Sequence, residues 1–311
     1  QRVTSDILTG YFELLAAQDN LGISDAELAA AEAHLEVMKK RFEVGFSAIT
    51  DVLEAQSRRD LVNAARVENS RKVQESREKL QTLVGQPIPE RVNSLSERLT
   101  IMMPPQPLPE LLALAQRSNL NYVLARTAIQ SAELDLEKVR SSHYPTVNAF
   151  AGVQYSDSTE SDNGGKGVNG ELGLRVAYNL FDSGSTRAYK RQTHALIQQK
   201  RANALQAQRE IEAQIRNSYE GIRSAINLVD ANAQAVKSAT TALEATEAGL
   251  KAGVRTNVDV LDAQRTLFST QRDHSRARYT FLAWARALRF NLGVIGVESV
   301  AEIDSYLIAP K

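Results

Sequence analysis

The stretch "AGVRTNVDVLDAQ", Ala252 to Gln264, has a near copy earlier in the chain, "VGFSAITDVLEAQ", Val44 to Gln56. The glycines of the two stretches stand 208 residues apart (253 − 45), and Asp, Val, Leu, Ala and Gln follow them in register. The same offset carries Tyr11 onto Tyr219 and Gly85 onto Gly293. A register held over that span without insertion marks an internal duplication, which has to be settled before any element is placed. Each copy puts a glycine between two long runs free of proline. The glycine supplies the positive φ that ends one helix. In the second copy Thr256 stands three residues before Asp259, a capping pattern with the carboxylate at the positive end of the next helix. In the first copy Thr50 and Asp51 fill the helix start less ideally. Each copy therefore reads as a long helical hairpin with a tight polar tip.

Working outward from the second tip, the apolar positions keep a 3.5-residue period. Ile222, Ile226, Val229, Ala233, Val236, Thr240, Leu243, Glu247 and Leu250 precede it, and Val260, Ala263, Leu267, Thr270, His274, Ala277, Phe281, Trp284 and Leu288 follow. That is coiled-coil spacing, and its many alanines let helices approach closely. The run from about Ser185 to Ala252 holds no proline, so a single helix of about 100 Å is expected there.

Prolines cluster where the helices stop. "GQPIPERVNS" (Gly85 to Ser94) and "MMPPQPLPE" (Met102 to Glu110) bracket an irregular stretch between the copies. A short helix is expected over Pro109 to Arg117, then another over about Asn121 to Ser142, ended by Pro145. There the period changes to two. Val147, Ala149, Ala151, Val153 and Tyr155 share one face, with Phe150 an exception on the other. After the polar stretch "SDSTESDNGGKGVNG" (Ser156 to Gly170), Leu172, Leu174, Val176, Tyr178 and Leu180 share a face again. Such alternation around a long polar loop is the weak signature of a transmembrane β-hairpin, and a soluble hairpin packed on a helix would use the same pattern. Two strands cannot close a barrel, so in a membrane other chains would have to supply the rest.

Composition excludes several function classes. Lys+Arg and Asp+Glu are equal at 37 each, which leaves no basic footprint for nucleic acid. There is no cysteine, hence neither a disulfide nor a thiolate site. No apolar run approaches the 18 residues of a transmembrane helix. His34, His143, His194 and His274 lack metal-ligand spacing and read as ordinary surface or interface residues. Neither a P-loop nor a nucleophile elbow appears, so no enzyme, metal or cofactor is expected. The chain opens on Gln1 within a helical pattern. Counterparts of residues 119–208 in the first copy would fall before it, so about ninety residues are expected to be missing from the front. A gene that was asymmetric from the outset is the alternative.

A β-hairpin on long coiled helices, duplicated along the chain, resembles the TolC-like outer-membrane efflux and secretion channels. The resemblance is carried by "RFEVGFSAITDVLEAQ" from Arg41, "AGLKAGVRTNVDVLDAQ" from Ala248, "HYPTV" at His143 and "LFDSG" at Leu180, and it covers Tyr11 to Gly293. It implies a mainly α fold: antiparallel coiled-coil hairpins forming an α-barrel tunnel in a homotrimer, and transmembrane strands contributed to a shared β-barrel. The first β-hairpin of that pattern is missing here. The implied organisation is a first helical hairpin over 1–85, an equatorial connector over 86–120 and a helix leading to the barrel over 121–143. A transmembrane β-hairpin follows over 144–182, with its extracellular loop at 156–170. A second helical hairpin occupies 183–293, and a C-terminal equatorial segment 294–311.

The resemblance also implies a role. The chain would be a passive exit duct in the Gram-negative outer membrane, with its tunnel in the periplasm. A periplasmic adaptor would dock on the tips at Gly45, Phe46, Gly253 and Val254, and an inner-membrane ABC or proton-driven transporter would supply energy. The cargo would be proteins of a type I secretion system, drugs, or both. Asp51 and Arg255 match the polar link that holds the family's tunnel mouth closed, and Asp259 and Asp262 match its acidic, cation-attracting constriction. Simple helix capping is the competing reading of the aspartates. The family also uses a tyrosine where this chain has Leu250, so that part of the lock lacks its hydroxyl. A coiled-coil scaffold with a peripheral hairpin is the alternative from another class; it would need neither matched tips nor strands with one apolar face.

Overall fold

The computed structural model describes residues 1–90, 92–95, 101–157, 166–296 and 307–308. Its elements follow in the order α1 (Arg2–Glu43), α2 (Ile49–Val84), β1 (Ser94–Leu95), α3 (Leu108–Ser118), α4 (Leu120–Ser141), β2 (Thr146–Asp157), β3 (Lys166–Ala177), α5 (Ser185–Lys251), α6 (Asn257–Leu292) and β4 (Leu307–Ile308). The fold is mainly helical with small antiparallel sheets, as expected. The offset of 208 recurs in the helix bounds: α2 begins at 49 and ends at 84, α6 at 257 and 292. It recurs in the backbone as well, where Gly45 and Gly253 have φ 80° and 77°, and Gly85 and Gly293 both have φ 75°. The proline-free run is one unbroken helix, α5, of 67 residues.

The chain forms two compact units, one of Gln1–Asn119 with Ile211–Lys311, the other of Leu120–Glu210. In the first unit, α1 and α2 make an antiparallel hairpin with two apolar clusters along its seam. Leu14, Val73 and Leu80 form one, with Tyr11, Leu21, Ile88 and Val92 packed around it. Leu35, Met38, Val52 and Ala55 form the other, near the tip, and Leu250 from α5 packs against it. Within α5, the buried residues Ile211, Ile215, Ser218, Ile222, Ala225 and Val229 keep the alternation of four and three. Ala233, expected on that stripe, is exposed instead. Helix α6 carries buried residues on two stripes, because it meets α1 and, through Trp284 and Asn291, also α5. The indole of Trp284 lies over Gly221, where an added Cβ would come within 2.5 Å of the ring. β1 and β4 pair antiparallel, Ser94 opposite Ile308.

The α6 C-terminus is clamped by the α3–α4 junction. Ser118 Oγ donates to the Leu292 carbonyl at 2.6 Å and Asn119 Nδ2 to the Asn291 carbonyl at 2.7 Å. These are carbonyls that a helix end leaves without intrahelical partners. Gln1 Nε2 donates to the Gly293 carbonyl at 2.7 Å. A Cβ on Gly293 would sit 2.3 Å from the Ser118 carbonyl oxygen, whereas one on Gly85 would meet nothing within 4 Å.

In the second unit, Ala132 and Leu136 of α4 pack on Ile197 of α5, and Arg201 pairs with Glu133 at 2.9 Å. β2 and β3 pair antiparallel over twelve residues each, Val147 opposite Val176, Ala149 opposite Leu174, Ala151 opposite Leu172 and Tyr155 opposite Val168. Those pairs put both apolar series on one face, exposed along its length; Leu172 is 86% accessible. The loop expected over 156–170 is shorter, because strand pairing reaches Asp157 and resumes at Lys166. Alternation persists there, with Val168 continuing the apolar face beside Tyr155. Residues 158–165 of that loop lie outside the described residues, as do 297–306 and 309–311 of the C-terminal segment.

Phe150, the exception in the β2 pattern, has a local cause. It sits opposite Gly173 on the polar face, and its ring fills the space where a Gly173 side chain would be, 2.6 Å from an added Cβ. The Arg175 guanidinium lies 5.4 Å from the ring centroid, a cation–π distance. The aromatic covers a glycine gap rather than breaking the alternation.

Candidate functional site

The two hairpin tips are the sites singled out by the sequence, and both are built by one backbone device. At the first tip the Gly45 N–H donates to the Phe42 carbonyl at 3.0 Å and the Phe46 N–H to the Arg41 carbonyl at 2.7 Å. At the second, Gly253 donates to Leu250 at 3.2 Å and Val254 to Gly249 at 2.9 Å. These bonds close the helix ends, and only a residue tolerating positive φ fits between them. Beyond each glycine one large apolar side chain projects into solvent: Phe46 is 76% accessible and Val254 77%.

The helices that leave the tips are capped by the aspartates. Asp259 Oδ2 accepts from the Thr256 N–H at 2.8 Å and from its hydroxyl at 2.9 Å, while the Asp259 N–H donates to Thr256 Oγ1 at 3.2 Å. Those two Thr256 donors hold the Asp259 carboxyl below the usual carboxylate range, and the Arg255 charge adds to the effect. Asp51 does the same with a poorer cap, accepting from the Ala48 N–H at 3.0 Å and from Ser47 Oγ at 2.6 Å. Capping is therefore part of what both residues do. Asp262, one turn along α6, is exposed, with Arg265 at 4.0 Å. Arg255 is exposed too, and its side chain lies over Gly249, where a Cβ would come 2.6 Å from its Cγ. Among the described residues of one protomer, no ion pair joins Asp51 to Arg255.

The tips are joined within the protomer by residues the sequence did not flag. Asn257, 4% accessible, follows the Thr256 cap. Its Nδ2 donates to the Glu54 carboxylate at 3.1 Å and to the Asp51 carbonyl at 3.3 Å. Both partners only accept, so its Oδ1 must face His34 Nε2, 2.7 Å away, and that nitrogen carries a proton. Arg41 Nη1 reaches the Leu250 carbonyl at 3.4 Å. Leu250 itself works as an apolar plug against the first hairpin, at the position where the resemblance implies a tyrosine. One sequence signal was available: the repeat pairs Asn257 with the exposed, apolar Ile49, a polar residue in one copy where the other has an apolar one.

Among the described residues, no group of three or more His, Asp or Glu is placed to hold a metal ion. No helix among them is long and apolar enough to cross a membrane.

The sequence profile described as Outer membrane efflux protein matches residues 1–86 and 111–294. The outer membrane protein TolC of Vibrio cholerae is 32% identical over 311 residues, covering 98% of this chain and 70% of that protein. The alkaline protease secretion protein AprF of Pseudomonas aeruginosa is 29% identical over 313 residues, covering 99% of this chain and 64% of that protein. The crystal structure of the outer membrane protein VceC of Vibrio cholerae superposes with a TM-score of 0.75 at 21% identity, covering 94% of this chain and 70% of that one. The chain thus spans about two thirds of the length of these relatives, and the solved structure speaks for the fold alone. The chain belongs to the outer membrane efflux protein family, and the outer membrane is its location.

Proposed function

We propose that the protein is a protomer of a passive exit duct, in which three copies join their strands into one barrel and their helical hairpins into a periplasmic tunnel. The observation that carries this reading is the β2–β3 hairpin. Its two strands pair only with each other among the described residues, and its large apolar side chains other than Phe150 lie on one exposed face. Open strand edges are not tolerated in lipid, so partners must close them. A coiled-coil scaffold gives no reason for that face. The duct is not an enzyme; its energy comes from an inner-membrane ABC or proton-driven transporter, coupled through a periplasmic adaptor docked on the tips. The family relation to AprF, named for secretion of alkaline protease, supports type I protein export as a cargo route beside drug efflux. At the tunnel mouth, Arg255 of one copy links to Asp51 of the next, consistent with the absence of that pair within a protomer. Asp259 and Asp262 gather by threefold symmetry into a ring that attracts cations. The test is chemical cross-linking and planar-bilayer recording on the intact, detergent-extracted protein. A trimer with a cation-selective conductance is expected; a monodisperse monomer that forms no pores refutes the reading.

A further inference from the structure

We propose that Glu27 is a register key: it fixes the axial position of α6 against α1, and with it the level at which the two tips stand. Glu27 is 7% accessible, and each oxygen of its carboxylate takes a different guanidinium. Oε1 accepts from Arg58 Nη2 of α2 and Oε2 from Arg272 Nη1 of α6, both at 2.7 Å. Among the described ion pairs it is the one whose carboxylate is buried; the carboxylates of the others are about half exposed.

Stability is a weak reason for such a triad. Desolvating three charges opposes their attraction, one positive charge remains in excess, and apolar side chains of similar size commonly hold a seam as well or better. Nor does the hairpin fold require it. At the offset of 208, Glu27 corresponds to Ala235, Arg58 to Thr266 and Arg272 to Ala64. The α5–α6 hairpin is thus built at the equivalent level with alanine and threonine.

What the triad adds is a tie across a seam that the chain leaves free. The turn at Val44–Ala48 fixes α1 against α2 covalently, and the turn at Ala252–Thr256 fixes α5 against α6. No short connection fixes α1 against α6. Seams of heptad-spaced small and apolar residues can slip by a turn with little loss of packing, and a buried polar contact at one level is the device that forbids it. A slip of one turn, about 5.4 Å, takes Arg272 out of hydrogen-bonding reach of Glu27. The Tyr279–Asp19 bond and the His34–Asn257 bond lie along the same seam, on either side of this level. The first joins two helices and the second belongs to a network in which Asn257 also reaches Glu54 of α2; neither is an ion pair, whereas Glu27 takes a guanidinium from each of two neighbouring helices.

The protein has no cysteine, so register can be read with two introduced labels. Spin labels at Glu36→Cys on α1 and Arg265→Cys on α6, both exposed, would be measured by pulsed dipolar spectroscopy. The sample is full-length protein in detergent, diluted with unlabelled chains. The parent should give one narrow distance. In the triple variant Glu27→Leu, Arg58→Met, Arg272→Met, the distribution should broaden or gain a second population about 5 Å away. Its denaturation midpoint should not fall below the parent's. Glu27→Gln should broaden the distribution as well, since it leaves both guanidinium groups in place. An unchanged narrow distance in the triple variant overturns the proposal, and so does a triple variant that fails to fold, since the triad would then serve stability. This readout needs no pore activity, so it stands or falls separately from the duct.

Discussion

The duplication supplies a matched pair of substitutions, Gly85→Ala and Gly293→Ala, whose difference can be worked out from the structure. Both glycines cap a helix at φ 75°. Placing alanine in the left-handed region costs about 1–2 kcal/mol, offset by about 0.4–1 kcal/mol because the unfolded chain loses freedom. At Gly85 that is the whole account, since an added Cβ meets nothing within 4 Å. A destabilisation of up to about 1.5 kcal/mol is expected there. At Gly293 the Cβ would sit 2.3 Å from the Ser118 carbonyl oxygen and 2.8 Å from the Asn119 Cα. Both are backbone, so the α3–α4 junction must shift and its hydrogen bonds to Leu292 and Asn291 lengthen. Overpacking of this kind adds about 1–3 kcal/mol, for a total of roughly 1–4.5 kcal/mol. Far-UV circular dichroism of denaturant unfolding in detergent, with the slope held common, would compare the two midpoints. Equal losses for both variants would refute the argument, because conformational strain alone would then account for both sites.

Four further outcomes are expected. Arg255→Ala channels should conduct more in planar bilayers than the parent, and an unchanged conductance removes Arg255 from the gate. The double variant Asp259→Asn, Asp262→Asn should lose cation selectivity, read as reversal potential across a salt gradient, with an effect that shrinks as salt shortens the Debye length; unchanged selectivity leaves the capping role standing alone. Gly253→Val denies the turn its positive φ and should abolish cross-linking to the periplasmic adaptor while the trimer persists; retained cross-linking means the tip is not the contact. Because the Asp259 carboxyl is depressed in the folded protein, its contribution to stability is present above the unfolded carboxylate range and is lost as pH falls through the folded value. Asp259→Asn should therefore flatten the acid limb of the pH–stability curve below about pH 4, and an identical limb would show that the cap does not couple to protonation.

What could be read from sequence was whatever obeys a period or a repeat. Heptad spacing located α5 and α6, the repeat located the tip glycines, and alternation of two located β2 and β3. The Thr256–Asp259 cap was legible because it is local, closed within three residues. Phe150 looked like a fault in the strand until pairing set it opposite Gly173, information that belongs to the partner strand. The link at Asn257 and the triad at Glu27 were out of reach for a related reason. Glu27 and Arg272 are 245 residues apart, and a charged residue on a long helix is by default a solvated one. Only the packing of α6 on α1 turns those side chains inward. Asp51 and Arg255 show the reverse limit: the resemblance pairs them, while one protomer gives each a separate local role.

The one-sided β-hairpin also sets the order in which the protein can mature. The helical hairpins bury their seams within a single chain, mostly through neighbours joined by tight turns, and such local contacts form early and at a rate independent of concentration. The strands cannot finish that way. In the proposed duct, until other copies cover their edges, β2 and β3 would present both an apolar face and unpaired backbone, the combination that invites aggregation. Closure of the proposed barrel would therefore be a higher-order reaction that slows as protein becomes scarce. A low level of synthesis would stretch the interval in which half-assembled protomers must be kept apart or already held at the lipid surface.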